Sequence, residues 1–269
     1  ETGTDVLGTF NNCANGQTPW GTYLTCEENF HKYFGSNDDT YTVPAAQQRY
    51  GIKGADKTYQ WSKHDSRFDL SKNPNEPNRH GWVVEIDPMD PNSKPKKRTA
   101  LGRFKHENAA LMVDGSGHVV VYLGDDERGE HLYKFVSKDK YIANNAVHNR
   151  NLLDEGTLYV AKFMAVDGEL KGQGQWLELT FGKNGLTPEN GFNSQAEVLI
   201  HTRLAATQVG ATTMDRPEWV AVHPNKQTAF CTLTNNKNRG KKDNQPVSGP
   251  NPRANNVYGQ IVRWAPAQG

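Results

Sequence analysis

Apolar positions in this chain cluster in short runs separated by longer polar stretches, and most runs carry the β-branched and aromatic residues that favour strands. Trp20–Thr25 (WGTYLT) and Gly81–Asp87 (GWVVEID) read as strands, the second closed by the Pro88/Pro91 turn. Val119–Leu123 (VVVYL) and His131–Val136 (HLYKFV) read as a hairpin across the polar turn Gly124–Glu130. Thr157–Phe163 (TLYVAKF), Gln175–Leu179 (QWLEL), Glu218–Val222, Thr228–Thr234 and Gly259–Trp264 (GQIVRW) complete the set. WVVEID, HLYKFV, LYVAKF and QIVRW look like copies of one recurring strand at irregular spacing. That pattern predicts an all-β chain, a β-propeller that is partial or carries long insertions, with a few short inserted helices; a sandwich is the second choice.

One helix is predicted over Asn193–Ala206, where Ala196, Leu199, Ile200, Arg203 and Leu204 share a stripe and Ser194 caps the start. A shorter one is predicted within Val43–Tyr50. Residues 30–78 have no sustained apolar period and read as an insertion, the kind of segment that carries recognition or covers a site. Residues 237–252, dense in Asn, Lys, Gly and Pro, read as a long polar loop, mobile unless a ligand or metal orders it. Residues 1–269 are taken as a single domain or a piece of one.

Composition narrows the field. The aromatics (6 Trp, 10 Tyr, 10 Phe) argue against disorder despite only 35% hydrophobic residues, and 25 Gly with 14 Pro suit short strands joined by loops. Charge is balanced at 31 basic to 30 acidic residues, so global electrostatics name no partner. The tract Lys94–Arg98 (KPKKR) reads as a solvated basic turn, not a nucleic-acid patch. Three cysteines, Cys13, Cys26 and Cys231, exclude a disulfide scaffold and leave one Cys26–Cys231 bridge open. No apolar run approaches the roughly 20 residues of a membrane span. The opening ETGTDVLGTF has neither the charged start nor the apolar segment of a signal peptide, and without an initial Met the chain reads as a mature form or a fragment.

Candidate chemistry lies in four segments where predicted strands end. Asn11–Glu28 (NNCANGQTPWGTYLTCEE) puts Cys13 on a turn-rich stretch, read as a loop, and delivers Glu27 and Glu28 at the end of a strand. The others are Gly102–Asn108 (GRFKHEN), Gly124–Arg128 (GDDER) and Met214–Trp219 (MDRPEW). In a propeller such loops converge on one face, so separate segments can build one site. Glu28, Glu107, Asp126 and Glu218 supply the oxygen ligands a hard divalent cation needs, and Cys13 biases one position toward a softer, redox-capable metal such as iron. Arg216 and Arg128 sit beside these acids, and a planar fork there suits an oxyanion such as phosphate. Each segment also has an ordinary reading: a core cysteine, a solvated acidic turn, a surface charge cluster, a structural Arg216–Glu218 pair.

Taken together, NNCANGQTPWGTYLTCEENF, GRFKHENA, YLGDDERGEHLYKFV, MDRPEWVAVHP and NNVYGQIVRW, spread from Phe10 to Trp264, resemble the PhoX-type alkaline phosphatases. The resemblance implies a propeller phosphomonoesterase using ferric iron (Fe3+) with calcium (Ca2+): two irons joined by a bridging oxide, beside three calcium ions. It implies Cys13 as the iron-ligating cysteine and Glu28 and Glu107 as carboxylate ligands of the cluster. It further implies Glu218 and Asp126 on the calcium side, with Asp125 an open alternative to Asp126. Arg216 becomes the phosphate-contacting arginine, placed with Glu107 at the catalytic centre, and Arg128 a second substrate-binding arginine. It implies small phosphate esters or inorganic phosphate as partners, no nucleic acid and no membrane, a monomer, and export by the twin-arginine route to a periplasmic or secreted location. Set against the family pattern, the sequence given is expected to be a fragment or truncated relative, without the export segment and early blades and without the further propeller and acidic ligands that follow in a complete member. The competing classes are a non-catalytic calcium-stabilised propeller module and a calcium-dependent propeller lactonase, neither of which needs a loop thiolate beside paired acids.

Overall fold

The structure, a computed structural model, describes residues 3–55, 58–166, 169 and 171–267. Three antiparallel sheets carry the chain, each with its strands in sequence order. The first holds β1 (Asn12–Gln17), β2 (Tyr23–Glu27), β3 (Val83–Ile86) and β4 (Lys96–Lys97). The central sheet holds β5 (His106–Val113), β6 (His118–Asp125), β7 (Leu132–Lys140), β8 (Gly156–Ala165) and β9 (Gly172–Glu178). The third holds β10 (Pro217–Val222), β11 (Ala229–Leu233) and β12 (Gln260–Trp264). The expected class holds as mostly sheet with few short helices.

The sheets stack. β1 and β2 pack on β5, and β10 packs on β5 and β6, so the central sheet is covered on both faces. Strand periodicity then divides one apolar run between two cores. Val119, Val121 and Leu123 of β6 enter the larger core with Leu24, Phe104, Tyr133 and Phe135. Val120 and Tyr122 enter the smaller core with Val220, Cys231 and Leu233. A strand buried on both faces has no polar alternation, which explains VVVYL.

Two glycines set the spacing at one end of the stack. A Cβ on Gly16 of β1 would lie 2.1 Å from the Ala109 carbonyl oxygen of β5. One on Gly124 of β6 would lie 2.5 Å from the carbonyl oxygens of Pro217 and Glu218. Only glycine lets the backbones approach this closely.

Several expectations are corrected. The predicted helix 193–206 is two helices, α3 (Gln195–Ile200) and α4 (Thr202–Gln208), here numbered after the short turns α1 (Ala45–Gln48) and α2 (Ala146–Asn149). Ser194 does cap the first, accepting from the Glu197 N–H at 3.2 Å. The break falls at His201 because Thr202 Oγ1 donates to the Leu199 carbonyl at 2.6 Å while accepting from the Arg103 N–H. The strand expected over Trp20–Thr25 is shifted to Tyr23–Glu27.

Residues 30–78 are integrated into the fold: Phe30, Phe34, Tyr50, Ile52, Phe68 and Leu70 are buried in the larger core. The basic tract is no solvated turn. Lys97 Nζ pairs with Glu27 at 2.8 Å, and Arg98, buried, pairs with Glu85 at 2.6 Å. All three cysteines are free, so Cys26 and Cys231 form no bridge. The 237–252 loop is tied to the fold through Arg239: buried Asp215 accepts from Arg239 Nε at 2.7 Å and from the flanking Asn236 and Asn256 side chains.

Candidate metal centre

Three of the expected site residues sit in β-bulges. The β1–β2 register shifts between Asn12 and Asn15, around Cys13. The β5–β6 register shifts between His106 and Ala109, around Glu107. The β10–β11 register shifts between Pro217 and Val220, around Glu218. A bulge inserts an unpaired residue and re-aims its side chain. Cys13 is therefore an exposed residue on a bulged strand, not on a loop. Glu28 and Asp126 follow directly on the C-terminal ends of β2 and β6, the partners of those bulged strands. The three sheets thus turn ligand-type side chains out at one shared end.

Cys13, Glu28 and Glu107 each bring one ligand atom to within 4.8 Å of the others. The Cys13 thiol lies 3.4 Å from Glu107 Oε1 as donor. Although the residue is exposed, desolvation of its thiol, followed by the charge of Glu107, pushes Cys13 up to about 12. Burial and the charge of Glu28 push Glu107 up to about 7. Glu28 is raised by burial and by Asp126, and Glu218 by the same two causes. Burial and mutual repulsion raise Glu28, Glu107 and Glu218 together; a multivalent cation bound among them would relieve that repulsion and take the proton's place. One thiol and two carboxylates within chelating distance fit a metal that accepts both sulfur and oxygen ligands.

Arg216 faces this cluster. Its Nε and Nη2 donate to the two oxygens of Asp126, each at 2.9 Å, and Nη2 also donates to Glu218 Oε1 at 2.9 Å. Arg216 has a φ of +54°, a left-handed conformation costly for a long side chain and typical of functional positions. Nη1 makes no hydrogen bond among the described residues.

Asp125 and Asp126 point in different directions. Buried Asp125 takes Arg203 Nε at 2.7 Å and Nη2 at 2.6 Å, plus the Lys105 N–H at 3.2 Å, while Asp126 reaches Arg216. Glu27 likewise points away from Glu28. It accepts from Lys97, from the Phe10 N–H and from the N–H groups of Gly81 and Trp82. Burial would raise its pKa, but His80 and Lys97 outweigh that and hold it at about 2. Arg128 forms no ion pair among the described residues: its Nη2 donates to Asn235 Oδ1 at 2.9 Å, and its backbone bridges to Asp215.

Sequence reading missed the supports. Asn11, at φ +52°, accepts the Glu28 N–H on its carbonyl and the Asn29 N–H on its side chain, fixing the turn that presents Glu28. Lys105, buried and paired with Glu127 at 2.8 Å, accepts the Asp126 N–H on its carbonyl and so ties the β5 and β6 ends together. GRFKHEN contains Lys105, but nothing local distinguishes it from a surface lysine.

Fold and site together define a β-sheet protein with a thiol–carboxylate ligand set and an arginine facing it. The family model for the alkaline phosphatase PhoX matches residues 1–269, and the chain belongs to that family. A solved structure similar to it is Pseudomonas fluorescens PhoX in complex with vanadate, a transition state analogue, with 64% identity and a TM-score of 0.94. The match covers 96% of this chain and 45% of that one, so the chain spans about half the length of this relative. None of the curated proteins matches the chain.

Proposed function

We propose that the chain supplies the iron-binding part of a metal-dependent phosphomonoesterase that hydrolyses small phosphate esters. The observation that carries this reading is the convergence of Cys13, Glu28 and Glu107 within 4.8 Å. Family membership supports it, as does similarity to a PhoX that binds vanadate, a transition state analogue. In this reading Cys13, Glu28 and Glu107 hold ferric iron, and Asp126 and Glu218 contribute to calcium sites. Bound iron and calcium would supply Lewis-acid stabilisation of the charge that develops on the phosphoryl oxygens.

The chain's own residues do the positioning. Arg216, fixed by Asp126 and Glu218, points a guanidinium at the cluster, and its Nη1 is the donor left for a phosphate oxygen. Glu107 keeps Cys13 and the iron site in register across two sheets. Arg128, whose Nη2 donates to Asn235 while its Nε has no partner among the described residues, is kept as the second substrate-binding arginine. A calcium-only module or a lactonase leaves the thiol without a role.

The three stacked sheets are read as blades of a propeller completed by the rest of a longer chain. Export to the periplasm or medium and a monomeric state belong to the same reading; among the described residues no helix is long and apolar enough to cross a membrane. Hydrolysis of phenyl phosphate by the iron- and calcium-loaded protein, abolished by chelation and weakened by Arg216→Ala, is the expected result. Full activity in excess chelator would overturn it.

A further inference from the structure

The bulge between His106 and Ala109 on β5 holds two residues that leave it in different directions. Half-buried Glu107 turns to Cys13. Asn108, buried, turns instead to β10. Its Nδ2 donates to the Val220 carbonyl at 2.9 Å, and its Oδ1 accepts the Val220 N–H at 2.8 Å. β10 is an edge strand of its sheet, and the carboxamide answers both polar groups of Val220 as a neighbouring strand would. Among the described residues no other hydrogen bond joins β5 to β10.

Val220 closes the bulge that carries Glu218: regular pairing with β11 resumes there, opposite Cys231. Just before it, the carbonyls of Pro217 and Glu218 come in over Gly124 of β6, where a Cβ would stand 2.5 Å from each. The start of β10 is thus held at two points, a backbone contact at Gly124 and the clamp at Val220. Both points are dry, since Gly124, Asn108 and Val220 are all buried, and a buried carboxamide with both ends paired is locked in place.

This clamp joins the two halves of the site. Cys13, Glu28 and Glu107 belong to β1, β2 and β5, whereas Glu218 lies on β10 and Arg216 directly precedes it. We infer that Asn108 is a positioning residue: it sets the distance between the Cys13–Glu28–Glu107 cluster and the Arg216 guanidinium, and so the gap into which a phosphoryl group must fit. Asn108 acts through Glu107 on one side and β10 on the other, without touching metal or substrate. The inference rests on the phosphomonoesterase reading and adds a residue to it.

The test is Asn108→Leu, which keeps the shape of the side chain and removes both bonds to Val220. Iron content and the thiolate-to-iron band should stay as in the unmodified protein, because every iron ligand lies on the other side of the clamp. Under the same conditions kcat/KM for phenyl phosphate, per bound iron, should fall about a hundredfold, the scale of a misplacement of about 1 Å. A lowered urea midpoint with kcat/KM per bound iron unchanged would make Asn108 merely structural and overturns the inference. Loss of iron overturns it as well, since Asn108 would then support Glu107 alone. If the leucine variant does not fold, Asn108→Ser, which keeps one polar atom, is read by the same outcomes. If the unmodified protein hydrolyses no ester, the phosphatase reading fails, and crystal structures of the protein and the variant decide the clamp. A wider Glu107–Arg216 separation in the variant supports it; an unchanged separation overturns it.

Discussion

Cys13 Sγ and Glu107 Oε1 lie 3.4 Å apart although 94 residues separate them, each held in a bulge of a different sheet. A cation bound there would displace the proton the thiol donates to Glu107. Removing the thiol therefore tests the site more than the fold. Cys13→Ala is expected to lose iron while changing stability by no more than about 0.5 kcal/mol, as at other exposed positions. Elemental analysis and urea denaturation check the two halves separately. Gross unfolding of the variant would mean that Cys13 serves packing.

Arg216 carries the second prediction. Arg216→Ala should weaken inhibition by inorganic phosphate at least tenfold, the scale of losing one charge-assisted bond of about 1.5–3 kcal/mol. Metal content should stay unchanged, because arginine is not a ligand. Loss of metal instead would show that its bonds to Asp126 and Glu218 matter only for holding those acids in place.

Gly124 carries the third. Gly124→Ala puts a methyl 2.5 Å from two carbonyl oxygens at the start of β10. The strand must shift, at a cost of about 1–3 kcal/mol. Because that strand presents Glu218 and Arg216, activity should fall further than the stability loss explains. Thermal melting and steady-state kinetics on the same sample check this; unchanged kinetics would dissociate the β6–β10 contact from the site.

Arg203 is the buried support behind Asp126. Its fork on Asp125 is fully buried, so Arg203→Met leaves an unpaired buried carboxylate and should destabilise by about 3–5 kcal/mol. The double variant with Asp125→Leu should recover much of that stability. Failure of the double variant to recover would place the energy in the wider network through Glu127 and Glu130.

His131 sets a pH dependence. Burial lowers its pKa to about 4 from an ordinary 6.5, and its Nδ1 is bonded to the Thr212 carbonyl. The folded state thus binds fewer protons than the unfolded state between those values. Its contribution is full above pH 6.5 and lost as pH falls through 4, a change on the order of 3 kcal/mol. Urea midpoints for the protein and for His131→Asn, compared at pH 7 and pH 4.5, should converge at the lower pH. A constant gap between them would contradict the assignment.

Much of the fold was legible because burial on both faces writes a continuous apolar run into β6, and β7 and β8 carry short aromatic and β-branched stretches. The candidate residues could be named as well, since Cys13, Glu28, Glu107, Asp126 and Glu218 carry ligand-type side chains near strand ends. What brings them together was not. A bulge leaves little local mark: the residues around Cys13 looked like a loop, and those around Glu107 like a surface cluster. Lys97 and Arg98 looked solvated because their partners, Glu27 and Glu85, lie 70 and 13 residues away in sequence. The polar 237–252 loop looked mobile because its anchor, Asp215, lies outside it.

The most direct test of the central claim is elemental analysis of the purified protein for iron and calcium, with a visible absorption spectrum. The account predicts near-stoichiometric iron with a thiolate-to-iron band that disappears in Cys13→Ala. Calcium without iron, or an iron spectrum indifferent to Cys13, would contradict it.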